Sequence, residues 1–242
     1  TIGVVDFLEP VEIDPDHRDP GFGAFGTRNL VVEAVDEIES AFLNAGQVCV
    51  AVKRLYVPRR MIDDVTGALG DIVAAAKVGD GLAEGTTMGP IQNAAQLARL
   101  RDLLEDSRRV GRIAAGGELL NGPGYFFSPA IVRDVPADAR IVVEEQFGPI
   151  LPILAYDSEA EAVAQANGLP FGLGASVWAK DSGRAAALAD RIDAGTVWIN
   201  THTDLDPDLP FAGSRQSGLG VAFAEEGLAE YTQVKVVNQS RA

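Results

Sequence analysis

From Leu30 onward the sequence alternates two periodicities, and this alternation narrows the fold more than any other feature. Met61, Ile62, Val65, Leu69, Ile72, Val73 and Ala76 recur at helical spacing, as do Leu97, Leu100, Leu103 and Leu104. Ser158 and Glu161 have the spacing of a capping box, and Asn167-Gly168 is placed to end that helix. Asp181 is placed to cap another, with Leu188 and Ile192 on its buried face and Gly195 at its end. Between these patterns lie short apolar runs: RLYV, AIVRDV, ILPILAY, ASVWA and TVWIN. Strand runs alternating with helices predict an α/β fold, a mostly parallel twisted sheet with flanking helices. In such a sheet, ligands are expected at the carboxyl ends of the strands.

Residues 1–30 differ. They are irregular, acidic and rich in Pro and Gly, with one candidate strand at Ile2 to Leu8. The expected organisation is this segment followed by one domain over 31–237. GFGAFG, Gly21 to Gly26, matches G-x-G-x-x-G, but a pyrophosphate site needs a strand directly before it. The preceding DPDHRDP is polar and broken by Pro15 and Pro20, so a plain glycine loop is the expectation.

Charge and composition exclude several functions. The formal net charge is −15, which opposes nucleic-acid phosphates and anionic membranes as partners. No apolar run approaches the roughly 18 residues of a membrane span, and the first residues lack the basic head and apolar core of a signal peptide. Two His and one Cys argue against a dedicated zinc site. A single Cys allows no internal disulfide, which fits a reducing, cytoplasmic setting.

That one thiol, Cys49, sits in FLNAGQVCVAVKRLYV, between a helical run and a strand run. Two readings stand side by side. A lone Cys is usually a small buried hydrophobe. Here Gly46 permits close backbone approach, Asn44 and Gln47 supply polar groups, and Lys53 and Arg54 stand near enough in sequence to favour a thiolate.

The same stretch resembles the active-site segment of the NAD(P)-dependent aldehyde dehydrogenase superfamily. VGDGLAEGTTMGPIQN, EEQFGPILPI, NGLPFGLGASVWAKD, GTVWINTH, PFAGSRQSGLG and YTQVKVV follow in that family's order, so the resemblance covers roughly Glu33 to Val237. It implies the family's catalytic domain, with Cys49 as the nucleophile that attacks a small aldehyde to give a thiohemiacetal and then an acyl thioester. It implies that Glu145 binds the nicotinamide ribose of NAD or NADP and that Phe147 lies beside the nicotinamide. It places Asn200 near the thiol as a catalytic residue, and Asn44 and Phe211 at the substrate. Apart from the resemblance, Glu145 reads as a solvated acid, Phe147 as a core aromatic and Asn200 as a turn residue closing a strand end. The family also pairs a C-terminal strand with a neighbouring subunit. Tyr231–Val237 alternates apolar and polar residues and is the expected strand of a homo-oligomer.

One departure stands out. The family's nucleotide-binding half normally precedes the cysteine segment, and about 30 residues are too few for it, since a single βαβ unit already needs that many. The glutamate base belongs in an ELGG-type motif upstream, where this sequence has VEIDPDHRDP, so Glu12 and Asp14 carry no assigned role. Three functions compete. The first is an aldehyde dehydrogenase whose nucleotide-binding half comes from a separate chain or region. The second is an NAD-independent thiol esterase. The third is a non-catalytic oligomeric module.

Overall fold

The computed structural model describes residues 2–5, 38–118, 120 and 122–240. The glycine run Gly21–Gly26 and the pair Glu12 and Asp14 lie outside the described residues. Strand β1 is Ile2–Val5, where the sequence pattern suggested Ile2 to Leu8. A 3-10 segment, Glu39–Gly46, leads into β2, Arg54–Pro58. Helix α1, Ile62–Ala75, and helix α2, Ala94–Val110, carry the two Leu/Val stripes inward. Asn93 caps α2 by accepting the Gln96 N–H at 2.8 Å. Then come β3 (Arg112–Gly116), β4 (Ala130–Arg133), the single turn α3 (Arg140–Val143) and β5 (Ile150–Tyr156).

Helix α4, Glu159–Asn167, starts at the expected box: Ser158 Oγ accepts the Glu161 N–H at 3.2 Å. The Glu161 carboxylate reaches one residue further back than the pattern implied, to the Asp157 N–H at 2.9 Å. After β6 (Phe171–Gly172) and β7 (Gly174–Trp178), Asp181 caps α5, Ser182–Ala189. This helix stops at Ala189, well short of the expected end at Gly195, although Ile192 is still buried in the turns beyond it. Strand β8 (Thr196–Ile199) precedes the short strands β9 (Phe211–Ala212), β10 (Ser214–Arg215) and β11 (Val221–Ala222) and helix α6 (Ala224–Ala229).

The main sheet has seven strands in the order β3-β4-β5-β2-β1-β7-β8. Every pair is parallel except β3–β4 at one edge. All five residues of β2 are buried, as a central parallel strand covered on both faces requires. Residues 232–240 form no strand, and Tyr231, Val234, Val236 and Val237 stand exposed. Among the described residues no helix is long and apolar enough to cross a membrane.

Leu103 on α2 is fully buried, whereas Leu82 is almost wholly exposed. Leu103→Ala should therefore lower unfolding stability by about 2–5 kcal/mol, through lost burial and the cavity left behind. Leu82→Ala should be nearly neutral. Urea unfolding of both variants checks the pair, and equal effects would contradict this core.

Candidate active site

The cysteine loop and the loop Glu144–Pro149 each lead directly into a strand, β2 and β5. Those strands are parallel neighbours, with Leu55 opposite Ile153, so both loops lie at the amino edge of the sheet. The expectation of a site at the carboxyl ends fails for the cysteine for this reason: its loop feeds a strand instead of leaving one. The carboxyl ends of β2 and β5 border instead a cavity of about 570 Å3. There Arg59 is paired with Asp157 at 2.7 Å.

Two glycines bring the amino-edge loops together. Gly46 has φ +69°, and a Cβ on it would overlap the Gly148 carbonyl. A Cβ on Gly148 would in turn strike the Leu100 side chain of α2. The 3-10 segment has already broken at Leu43, and Asn44 and Ala45 take left-handed backbone with φ of 51° and 56°. This unwinding turns the chain toward a tight turn at residues 48–51, closed by the Ala51 N–H on the Val48 carbonyl at 3.1 Å. Cys49 lies in that turn, and it is exposed.

Side chains fasten both loops. Gln47 donates to the Asn44 and Pro90 carbonyls at 3.1 and 3.2 Å and accepts the Gln92 N–H at 2.8 Å. Asn44 is exposed, and its amide bonds the Gln47 carbonyl at 3.3 Å. Gln146, fully buried, donates to the Lys53 and Ile150 carbonyls at 3.0 and 2.8 Å. Gln96 of α2 holds the carbonyls of Gln146 and Phe147 at 2.7 and 3.0 Å.

Two buried cations lie beneath. Lys53 donates to the Gly46 carbonyl, and its ammonium stands 5.3 Å from the centre of the Phe147 ring. Burial pushes this ammonium down to about 8; the Glu145 carboxylate opposes that, Arg54 adds to it and Cys49 opposes it. Arg54 donates to the carbonyls of Val142 and Glu144 and lies 5.6 Å from the Phe171 ring centre. Burial draws it below its ordinary range.

Cys49, Asn44, Glu145 and Phe147 thus belong to two loops in contact. Glu145 is exposed and Phe147 half-buried. Asn200 follows β8, and both ends of its amide bond the Ala179 main chain at 2.9 Å. These bonds are the strand-end closure of its plainer reading. Phe211 is half-buried on β9, opposite Ala222 of β11.

Sequence reasoning missed Gln146, Gln96 and His202. For Gln96 and Gln146 the available signal was position, because each is a polar residue beside an apolar run. His202 comes two residues after Asn200, and its Nε2 bonds the Val50 carbonyl at 2.8 Å. Its ring meets Trp198 edge-on at 5.2 Å.

Comparison with known proteins agrees with the α/β fold. A model described as the aldehyde dehydrogenase family matches residues 28–237. Succinate-semialdehyde dehydrogenase (NADP+) GabD of Escherichia coli strain K12 is 37% identical over 215 residues, which are 88% of this chain and 45% of that protein. Betaine aldehyde dehydrogenase of Sinorhizobium fredii strain NGR234 is 35% identical over 224 residues, 88% of this chain and 46% of that protein. The NAD+ complex of an aldehyde dehydrogenase from Bacillus cereus superposes with a TM-score of 0.81 at 35% identity, covering 85% of this chain and 42% of that one. A mutant aldehyde dehydrogenase from Bacillus cereus gives 0.84 at 32% identity, over 97% of this chain and 44% of that one. The chain spans less than half the length of these relatives.

Burial of the His202 imidazole holds its pKa down at about 4, against an ordinary 6.5, while the bond to Val50 opposes that shift. A depressed folded value means the unfolded chain takes up this proton first. The stability it secures is complete above about 6.5 and is lost as the pH falls toward 4. At about 1.4 kcal/mol per pH unit, the loss is roughly 3 kcal/mol. His202→Gln, which cannot titrate, should show a shallower loss of unfolding free energy between pH 7 and pH 4.5. Identical slopes would refute it.

Proposed function

The chain belongs to the aldehyde dehydrogenase family, and on that premise we propose that it is the nucleophile-bearing part of an aldehyde-oxidising enzyme, with Cys49 as the nucleophile. The reading rests on one observation above all: an exposed cysteine in a tight turn, packed through Gly46 against the loop of Glu145 and Phe147. The thiolate adds to the carbonyl carbon of an aldehyde; a C–S bond forms and the carbonyl π electrons move to oxygen. The Cys49 N–H is the donor placed to meet that oxyanion. Once that carbon has given up a hydride, which a bound dinucleotide would accept, Cys49 holds it as a thioester until water cleaves the C–S bond, releasing the acid and returning the thiol.

The residues beside Cys49 suit the nicotinamide end of NAD or NADP. Glu145 offers an exposed carboxylate to ribose hydroxyls, and Phe147 offers a ring to a flat heterocycle. When bound, the dinucleotide accepts the hydride. The rest of its seat comes, in this proposal, from a nucleotide-binding half outside the matched region. Asn200 contributes by closing the ends of β7 and β8. Phe211 and Asn44 face the aldehyde. The acyl steps need no dinucleotide, so ester turnover at Cys49 isolates them.

Iodoacetamide near neutral pH should modify Cys49 of the native chain, with the adduct located by mass spectrometry. Reaction only after denaturation would make Cys49 a structural residue and end this reading.

Self-association belongs to the same proposal. Thr232, Val234 and Val236 would share one face of an extended strand, and Val234 and Val236 are 89% and 84% exposed. An apolar face of this kind suits pairing with a second copy. Sedimentation should show the full chain as an oligomer and a chain ending at Glu230 shifted toward monomer. A concentration-independent monomer in both would remove the idea.

A further inference from the structure

The carbonyls of the cysteine loop are held one after another. Asn44 O accepts from Gln47, Gly46 O from Lys53, Gln47 O from Asn44 and Val48 O from Ala51. All these donors come from the loop or from the residues just after it. The Val50 carbonyl differs. Its donor is His202, 152 positions away, at 2.8 Å. The Ala51 N–H in the same peptide plane bonds Val48 at 3.1 Å. The Val50–Ala51 peptide is therefore pinned at both ends, and it closes the turn in which Cys49 is the second residue.

The histidine is itself held. It is 4% exposed, its ring meets Trp198 at an interplanar angle of 74°, and Trp198 Nε1 donates to the Asp204 carbonyl at 2.8 Å. Its Nδ1 is buried with no protein partner among the described residues. A bare buried nitrogen is unfavourable, and an apolar ring would fill much the same volume without that loss. Packing among the described residues therefore gives no reason for an imidazole here. The Nε2–H bond to the residue beside Cys49 does.

We propose that His202 is a positioning residue for Cys49, acting through the Val50 carbonyl to fix the turn that presents the thiol and its N–H to a carbonyl substrate. The inference rests on Cys49 being the nucleophile. No charge change is involved: the neutral ring with Nε2 protonated is the working form.

The experiment uses 4-nitrophenyl acetate as the probe. The Cys49 thiolate attacks the ester carbon, the C–S bond forms, the C–O bond breaks and nitrophenolate leaves. Its release and the acetyl adduct are followed in the wild type, His202→Phe, His202→Asn, His202→Gln and Cys49→Ala. His202→Phe keeps the ring without the donor. The amide of Asn stops short of Val50, and that of Gln reaches about as far as Nε2. Acylation should slow about tenfold in the Phe and Asn variants, as a displaced nucleophile does, and recover to within about threefold in Gln. Alkylation by iodoacetamide needs no oxyanion donor and should change less than about threefold across the set. The rate should follow the presence of the donor, not the melting temperature. Wild-type acylation with unchanged rates in Phe and Asn, or a Gln variant as slow as they are, overturns the role of His202 alone. Absence of acylation in the wild type, or its persistence in Cys49→Ala, overturns the nucleophile and the role of His202 together.

Discussion

The contact of main chain on main chain at Gly46 and Gly148 is the constraint from which the candidate site follows. Two loops cannot approach this closely if Gly46 carries a side chain, and a side chain on Gly148 would push its loop off Leu100 of α2. Closeness lets Lys53, at the start of β2, hold Gly46 on one side and face the Phe147 ring on the other. It also lets Gln146 bond across to β2 and back to β5. The site is thus assembled by the pairing of β2 with β5, and a change in that register would move every one of these groups.

Burying Lys53 and Arg54 side by side demands compensation, because a desolvated cation is costly unless hydrogen-bonded. Neither is answered mainly by an ion pair. Both turn to backbone carbonyls and to aromatic faces, Phe147 for the lysine and Phe171 for the arginine. The arginine closes the carbonyl end of α3, which fixes where the Glu144–Pro149 loop begins. The lysine fixes the loop opposite. The charges are structural ties first, and their field on Cys49 and Glu145 is a by-product of where they are tied.

Much of the fold was legible because it depends on local periodicity. The stripes of α1 and α2, the caps Ser158 and Asp181 and the runs that become β2, β4, β5, β7 and β8 were all visible in the sequence. The antiparallel edge strand β3 was not, since Arg112–Gly116 has no strong apolar alternation. The site was legible in part. Cys49, Glu145 and Phe147 stood in recognisable motifs. Their meeting depends on strand pairing, which no local pattern encodes, and the end of the sheet was misjudged because the rule used describes loops leaving strands. Asn200 shows another limit. Its place after β8 was clear, but its left-handed backbone at φ 53° and the direction of its amide, onto Ala179, were not. His202 was invisible as a site residue because its partner lies 152 positions away.

Strand β1 has a consequence for how the molecule comes to exist. In the sheet it alone separates β2 from β7, so four strands on one side and two on the other are joined through Ile2–Val5. Its partner residues in β7, Ala175–Trp178, leave the ribosome long after it does. Until they arrive, the edge of β1 that β7 will cover stays open in the middle of the sheet. Such long-range closure is slow, and unpaired seams invite pairing with other chains. The β1 edge is therefore the part of this sheet most open to wrong partners while the chain is being made.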